Sequence, residues 1–311
     1  MRIAKRFLLT LICLLVLGVC VQAAGQTGTI TLHFSGQDGP MSGVPFRAYQ
    51  VAERLENGSY AMTDTYAAYP IDLASAGQDW QSLAETFAGY TRRDRLTPSA
   101  EGVTDANGML KLADLPAGLY LVLGDRIEVK GTNVLPSECI LSVPTGSGSK
   151  WSFDVDADVK SEVNPPVGPE TVSRRALKIW EDAGYEDERP AEITVQLLRD
   201  GEIQDTAVLN KENNWRCVWD ALDAGYRWEV VEKEFPGYTV KVEKNGVTFT
   251  LTNTRVPSDN PPKDPEKPGG PKDRLPRTGQ LWWPVPLLAA VGLILLIAGL
   301  RRRRRSDEAQ S

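Results

Sequence analysis

The chain has 311 residues, of which 41% are hydrophobic and 8% aromatic, and its formal net charge at pH 7 is −6. This is the composition of a globular protein long enough for two modest domains, and its acidic balance argues against nucleic acid as a partner. The single histidine, His33, argues against Ser-His-Asp and Cys-His catalytic sites. The sequence also holds no glycine-rich phosphate loop or Cys/His metal cluster, so we expect neither an enzyme nor a bound cofactor or metal.

Residues 1–24 have the pattern of a signal peptide. Arg2, Lys5 and Arg6 precede an apolar run at 7–20, and Ala23 and Ala24 supply the small residues typical of a cleavage site. The apolar run is short for a membrane span, although an N-terminal anchor helix is the alternative. We therefore predict that the chain is exported.

Export would leave only two cysteines, Cys139 and Cys217, because the other two lie inside the signal. Each alternates with apolar residues along a predicted strand, which is the pattern of a small core residue. A disulfide between them is the alternative in an oxidising compartment.

Short apolar alternations separated by Gly, Asp, Asn and Pro clusters dominate the middle of the chain and predict an all-β fold. We predict two tandem antiparallel β-sandwiches at 27–162 and 172–255, joined by a proline-containing linker at 163–171. A weak internal repeat, 115–120 against 222–226, supports two related units. One amphipathic helix is predicted at 79–90, with apolar residues at helical spacing: Trp80, Leu83, Ala84 and Phe87.

The C-terminal part of the chain predicts a spacer followed by a membrane-spanning signal. Residues 256–274 are polar and rich in proline, as in an extended spacer. Residues 281–300 form an apolar run long enough to span a bilayer, and the arginine-rich tail at 301–311 predicts a cytoplasmic end.

A pentapeptide stands directly before the apolar run, and its residues are Leu275, Pro276, Arg277, Thr278 and Gly279. With the span and the basic tail, it resembles the cell-wall sorting signal of Gram-positive surface proteins. The resemblance implies that a sortase cysteine attacks the Thr278 carbonyl, releases Gly279 onward and passes the chain to an amine. The alternative is a single-span protein in which the pentapeptide is incidental.

The second predicted sandwich resembles a Cna B-type domain, the prealbumin-like (Ig-like) sandwich of sortase-anchored adhesins and pilins. The residues that carry the resemblance lie at 177–182, 189–190, 193–198, 213–215, 232–238 and 251–254. The first sandwich resembles the N-terminal domain of sortase-assembled pilins more loosely, through residues 43–49, 104–108, 118–122 and 153–155.

The Cna B-type resemblance implies an isopeptide bond between Lys178 and Asn253, assisted by Glu232. Strand alternation independently places Asn253 and Glu232 on apolar faces, whereas the facing of Lys178 stays ambiguous because Leu177 and Ile179 are also apolar. Burial would lower the pKa of the lysine and raise that of the glutamate, and thereby favour a neutral amine beside a protonated acid. An unreacted buried pair is the alternative.

The first sandwich departs from this pattern, because Phe34, Leu123 and Ser161 occupy the positions of the three partners. We therefore predict no crosslink there. Lys160 lies where shaft pilins carry the lysine that accepts the next subunit, but the neighbouring family residues are absent. A solvated linker lysine is the more favoured interpretation.

An acidic segment follows the first strand of the second sandwich and contains Asp182, Glu186, Asp187 and Glu188. It lacks the regular oxygen spacing of a calcium loop, so we expect a solvated loop.

These features predict a secreted, wall-anchored structural protein, pilin-like and a minor or basal pilus subunit. The expected partners are sortase and either a peptidoglycan precursor or a pilus shaft subunit, with a membrane span before cleavage. The alternative is a stand-alone wall-anchored adhesin that binds a host or matrix ligand. A membrane-tethered hydrolase is a third, less favoured hypothesis.

Overall fold

The computed structural model of the chain describes residues 26–74, 79–148 and 150–256. The predicted signal peptide, the spacer beyond Val256, the sorting pentapeptide, the apolar run and the basic tail lie outside the described residues. Within those described ranges, no helix is long and apolar enough to cross a membrane.

The N-terminal half, residues 26–164, is built mostly of short strands. In chain order its elements are β1 (Gly28–Gly36), β2 (Gly39–Pro40), β3 (Pro45–Arg54), β4 (Tyr60–Met62), α1 (Asp64–Ala67), α2 (Trp80–Arg93), β5 (Ala100–Val103), β6 (Met109–Leu115), β7 (Gly118–Gly124), β8 (Ile127–Val129), β9 (Thr132–Pro136), β10 (Cys139–Val143), β11 (Thr145–Ser147), β12 (Lys150–Ser152), β13 (Asp154–Val159) and β14 (Ser161–Asn164). One sheet contains β13, β1, β2 and β6, and a second contains β10, β7, β3, β4 and β5. A shared apolar core lies between these two sheets.

The C-terminal half, residues 171–255, repeats this plan with fewer strands. Its elements are β15 (Thr171–Glu181), a 3₁₀ turn (Glu186–Glu188), β16 (Glu192–Arg199), β17 (Glu202–Asn210), β18 (Arg216–Asp223), β19 (Trp228–Glu232), β20 (Tyr238–Asn245) and β21 (Thr248–Arg255). One sheet has the order β18-β15-β21-β20, and the facing sheet has the order β17-β16-β19.

In each half, the first strand lies between an antiparallel neighbour and the last long strand, which runs parallel to it. β1 pairs with β6 and β13, and β15 pairs with β18 and β21. One sheet in each half is therefore mixed, and not purely antiparallel as predicted, whereas the facing sheet is antiparallel. The strands between the first and the last strand form the long connection that a parallel pair requires. The repeated segments at 115–120 and 222–226 fall at the ends of β6 and β18, so the sequence repeat corresponds to a repeated topology.

The predicted helix is confirmed as α2, and it extends three residues beyond Tyr90. Asp79 caps its N-terminus by accepting a hydrogen bond from the Ser82 N–H at 3.1 Å. Leu83 and Phe87 are buried, whereas Trp80, in the first turn, is 43% exposed. The buried face of α2 belongs to an apolar cluster that also contains the core of the C-terminal half.

The N-terminal half covers the free edge of β20, the outermost strand of its sheet. Three backbone N–H groups of alternate residues on β20 donate to groups of the N-terminal half: Val240 to the Pro70 carbonyl (2.6 Å), Val242 to the Thr86 hydroxyl (2.8 Å) and Lys244 to the Glu85 carboxylate (2.7 Å). Unpaired strand edges tend to bind other chains, so this cover both joins the two halves and protects the edge. All described residues belong to one compact unit.

Candidate crosslink site

Lys178 lies three residues before the end of β15, and its side chain points into the core. The residue is 4% exposed, and Ala176, two positions earlier on the same face, is also buried. Ile179 lies on the outer face and is 40% exposed. The structure therefore resolves the facing that the apolar neighbours of Lys178 left ambiguous.

The two predicted partners of Lys178 come from different strands and meet it in the same core. Glu232 ends β19 in the facing sheet, Asn253 lies on β21 beside β15, and the two residues are 2% and 1% exposed. Glu232 Oε2 lies 3.6 Å from Lys178 Nζ, and Asn253 Nδ2 donates a 2.6 Å hydrogen bond to Glu232 Oε1. One carboxyl group thus contacts both the amine and the amide nitrogen.

Burial shifts the two ionisable groups in opposite directions. Desolvation lowers the pKa of Lys178, although the nearby Glu232 carboxylate opposes this shift. Desolvation also raises the pKa of Glu232, against the effect of the lysine. Both changes favour transfer of a proton from the ammonium to the carboxylate, which would leave a neutral, nucleophilic amine.

Two oxygens at this site are buried and have no hydrogen-bond partner among the described residues: Glu232 Oε2 and Asn253 Oδ1. Glu232 Oε2 still has Lys178 Nζ as an ion-pair partner at 3.6 Å, but Asn253 Oδ1 has no hydrogen-bond donor among the described residues, and buried polar atoms are nearly always paired. A protonated Glu232 would supply an O–H donor, which is the group that the amide oxygen lacks. The unpaired amide oxygen is therefore consistent with a protonated Glu232 that donates a hydrogen bond to Asn253 and polarises its amide.

Aromatic rings surround the lysine, and the sequence analysis did not identify their role. The Trp180 ring centroid lies 4.5 Å from Lys178 Nζ, and Trp215 and Tyr238 each pack edge-on against Trp180 at 5.2 Å. Lys178 Nζ also donates to the Leu251 carbonyl at 3.1 Å. The rings shield the amine from water. Trp180 stands two residues after Lys178 on the same strand, and this spacing was the sequence signal that could have predicted its contact with the lysine.

Asp182 does not belong to a solvated loop, contrary to expectation. It is 4% exposed, and Arg189 binds both of its oxygens at 2.8 and 2.5 Å. Tyr238 donates a further hydrogen bond to it at 3.1 Å. A buried carboxylate needs such partners, and here Arg189 and Tyr238 supply them. Glu186, Asp187 and Glu188 are exposed, and within the described ranges no group of acidic, His or Cys residues is arranged for a metal ion.

The three positions singled out in the N-terminal half do not meet. Phe34 is buried in the core between the two sheets and packs edge-on against Phe46 at 5.4 Å. Leu123 is buried on the opposite face of β7, in the cluster shared with the C-terminal half. Ser161 lies on β14, half-buried. The absence of a crosslink in this half stays a prediction, but Leu123 is not the residue that faces Phe34.

Lys160 is exposed, and it lies between β13 and β14 rather than in a free linker. Its carbonyl accepts a hydrogen bond from the Ser137 N–H at 2.8 Å, and β14 pairs with β9 directly after it. The connection without helix or strand is therefore limited to residues 165–170. The main chain holds Lys160 in place while its side chain faces solvent.

Cys139 and Cys217 are both half-buried free thiols that pack against the apolar clusters. Burial raises the pKa of each to about 11. This agrees with the interpretation of both as small apolar residues.

The residues of the candidate crosslink site lie within a segment that matches a known domain family. Residues 175–254, which contain Lys178, Glu232 and Asn253, match the family model of the Cna protein B-type domain. The chain is also 34% identical over 150 residues to the collagen adhesin of Staphylococcus aureus, a match that covers 42% of this chain and 12% of the adhesin. The chain thus spans only about an eighth of the length of that relative.

Similar solved structures include a single B repeat unit of the collagen-binding surface protein Cna of Staphylococcus aureus. It is 20% identical, with a TM-score of 0.27, and the match covers 75% of this chain and 99% of that one. The shaft pilin SpaA of Lactobacillus rhamnosus GG is 17% identical, with a TM-score of 0.29 and coverage of 75% and 100%. The major pilin SpaD of Corynebacterium diphtheriae is 17% identical, with a TM-score of 0.29 and coverage of 74% and 64%.

Proposed function

We propose that this chain is a pilin-like surface protein of a Gram-positive cell, hardened by an isopeptide bond between Lys178 and Asn253. The observation that carries the proposal is the meeting of an amine, an amide and a carboxyl group in a core where all three residues are at most 4% exposed. The matches to the Cna protein B-type domain and to a surface adhesin support the same class.

The chemistry follows from the positions of the three groups. Protonated Glu232 gives its proton to the amide oxygen as neutral Lys178 Nζ adds to Asn253 Cγ, and the carboxylate so formed accepts the proton that the amine loses. Glu232 then gives a proton to Nδ2, which lies 2.6 Å from its Oε1, and the Cγ–Nδ2 bond breaks. Ammonia leaves, the proton on the former amide oxygen returns to Glu232, and an amide joins the two side chains. The reaction occurs once per chain, so the protein is its own substrate rather than an enzyme.

The proposed bond joins β15 to β21, the first and last strands of the C-terminal half. A pulling force on the two ends of this half would act on these strands, and a covalent tie between them prevents their separation. This property suits a subunit that we propose to be fixed to the wall by a sortase acting at Thr278. Wall peptidoglycan or a shaft subunit would then receive the chain, as in a minor or basal pilin.

Intact mass measurement of residues 26–278, followed by peptide mapping, tests the crosslink. Loss of one ammonia lowers the mass by about 17 Da, and the linked peptides should contain Lys178 and Asn253. Lys178→Ala and Glu232→Ala should both keep the full mass. An unshifted mass in the wild-type chain would refute the crosslink, and two losses would refute the prediction for the N-terminal half.

A stand-alone wall-anchored adhesin is the second candidate, because the collagen adhesin of Staphylococcus aureus matches 42% of the chain. Wall extracts separate the two functions. A pilin, including one joined through Lys160, should appear in covalent ladders of high mass. An adhesin should appear as a single anchored species that binds a host or matrix ligand.

A further inference from the structure

The walls of the crosslink site include residues from outside the C-terminal half. The Tyr90 hydroxyl, on α2, donates a 3.0 Å hydrogen bond to the backbone carbonyl of Glu232. The Pro70 carbonyl accepts from Val240, which is the residue opposite Asn253 in the β20–β21 ladder. Pro70 and Tyr90 also line the small space beside Glu232 and Asn253.

We propose that α2 and Pro70 complete the crosslink site, so that the Lys178–Asn253 bond forms rapidly only when the N-terminal half has docked. Tyr90 is the positioning residue: its hydroxyl bonds to the backbone of Glu232 and so helps to hold the strand end that carries the catalytic carboxyl group. This inference rests on the crosslink chemistry proposed above and adds its regulation.

The first reason is the place of Glu232 at the very end of β19. The last residue pair of the ladder with β16 is Glu232 opposite Val195, and a single further backbone hydrogen bond, from the Lys233 N–H to the Thr194 carbonyl at 2.9 Å, lies beyond it. Strand ends fray unless something else holds them. Tyr90, which is 1% exposed, adds a second hold through its hydrogen bond to the Glu232 carbonyl, which helps to keep the carboxyl group within reach of both reacting groups.

The second reason is that the N-terminal half helps to exclude water from the crosslink site. The reaction needs an uncharged amine beside an acid, and desolvation is the leading cause of both pKa shifts. The N-terminal half removes water from one side of the site through the ring of Tyr90, and it closes the β20 edge next to Asn253 through Pro70. If water entered there, it would restore the ammonium form of Lys178, which is not a nucleophile.

The third reason is that α2 approaches β19 unusually closely at this point. Gly89 precedes Tyr90, and a Cβ atom on it would lie 2.7 Å from Val231 Cγ2. Real Cβ atoms do not approach another carbon so closely, so either the Val231 side chain or the helix would have to shift to fit a side chain here. The absence of a side chain on Gly89 thus lets α2 lie close to β19 at the residue before Tyr90.

The test compares the rate of crosslink formation in variants of the chain 26–278. Chains recovered in denaturant as uncrosslinked material are refolded by dilution, and the 17 Da loss is followed by mass spectrometry at several pH values. We expect Tyr90→Phe to slow the loss about tenfold at pH 7, as expected for one lost hydrogen bond, and to recover rate at higher pH, where the better-hydrated lysine loses its proton.

Tyr66→Phe is the matched control. Tyr66 is also buried, and within the described part of the chain its hydroxyl bonds only to Thr91, at 2.8 Å and inside the N-terminal half, so its variant should keep the wild-type rate and pH profile. Thr86→Val removes a docking hydrogen bond away from the reacting groups and should also slow the reaction, which gives a second test if Tyr90→Phe refolds poorly.

The outcomes separate the two proposals. Wild-type rate and pH profile in both Tyr90→Phe and Thr86→Val would overturn the role of docking and leave the crosslink in place. Equal slowing in Tyr66→Phe would show that only general stability matters. No mass loss in the wild-type chain would instead overturn the proposed crosslink itself.

Discussion

The contribution of the crosslink to stability can be estimated from the length of chain that it closes. A bond between Lys178 and Asn253 encloses about 75 residues, and loop-closure entropy assigns about 4.5 kcal/mol to a crosslink of that span. The entropy of unfolding of a unit of about 230 residues converts this free energy into a fall of about 10 °C in the melting temperature.

Lys178→Met is the sharpest perturbation, because methionine has a similar length and carries no charge. It removes the bond without leaving a buried ammonium, and burial already favours the neutral form of the remaining Glu232 by raising its pKa. Calorimetry of residues 26–278 should show the fall of about 10 °C, with the mass restored by about 17 Da.

A double-variant cycle guards against a simple packing effect. Asn253→Leu also removes the bond, so the double variant with Lys178→Met should melt close to either single variant. Small and additive shifts would refute the covalent tie, because two independent packing defects add whereas one bond is lost only once.

Three further predictions follow from the buried ionisable groups. Arg189 holds the pKa of Asp182 below its usual value of 3.8, so this pair stabilises the fold above that value and its contribution disappears as the pH falls through the lowered pKa. Arg189→Gln should therefore lower the free energy of unfolding in urea at pH 7 and approach wild type in acid; a constant difference would contradict this. Burial raises the pKa of Glu85 to about 7, so its ionisation opposes folding as the pH rises. Glu85→Gln should be more stable than wild type at pH 8 and lose that advantage towards pH 5, and denaturant titrations at the two pH values check the sign. Cys139 and Cys217 should alkylate about 100-fold more slowly in the folded than in the unfolded chain at pH 8, because burial raises the pKa of each from 9.0 to about 11. Failure of the unfolded, unreduced chain to label would indicate a disulfide.

Local alternation was sufficient to predict that two of the residues singled out by the family resemblance lie on buried strand faces. Asn253 and Glu232 are the polar residues on otherwise apolar strand faces, and both are buried. Alternation failed for Lys178 because Ile179, on the outer face of the same strand, is apolar as well. A single exposed isoleucine costs a protein little, so hydrophobicity alone does not tell which face of such a strand lies inside.

Two features could not be predicted from the sequence: the docking of α2 on the C-terminal half, and the facing of residues on β7. The position and cap of α2 follow from local periodicity, but its docking on β20 joins residues about 150 positions apart and depends on which strand lies at the sheet edge. The misassigned Leu123 has a related cause. β7 is buried along its whole length, with Val122 facing one cluster and Leu123 the other. Its sequence therefore lacks the alternation of polar and apolar residues that would have shown which side chains face which core.

The cover on β20 also has a consequence for the order in which the chain is made. A ribosome finishes α2 more than a hundred residues before it reaches β20, so the groups that cap this edge already exist when the strand emerges. This edge strand is thus among the last to appear, and the groups that cover its edge have already been synthesised. Reversing that order, as in a circular permutant that begins at residue 171, would expose the edge during synthesis and should increase aggregation of the newly made chain.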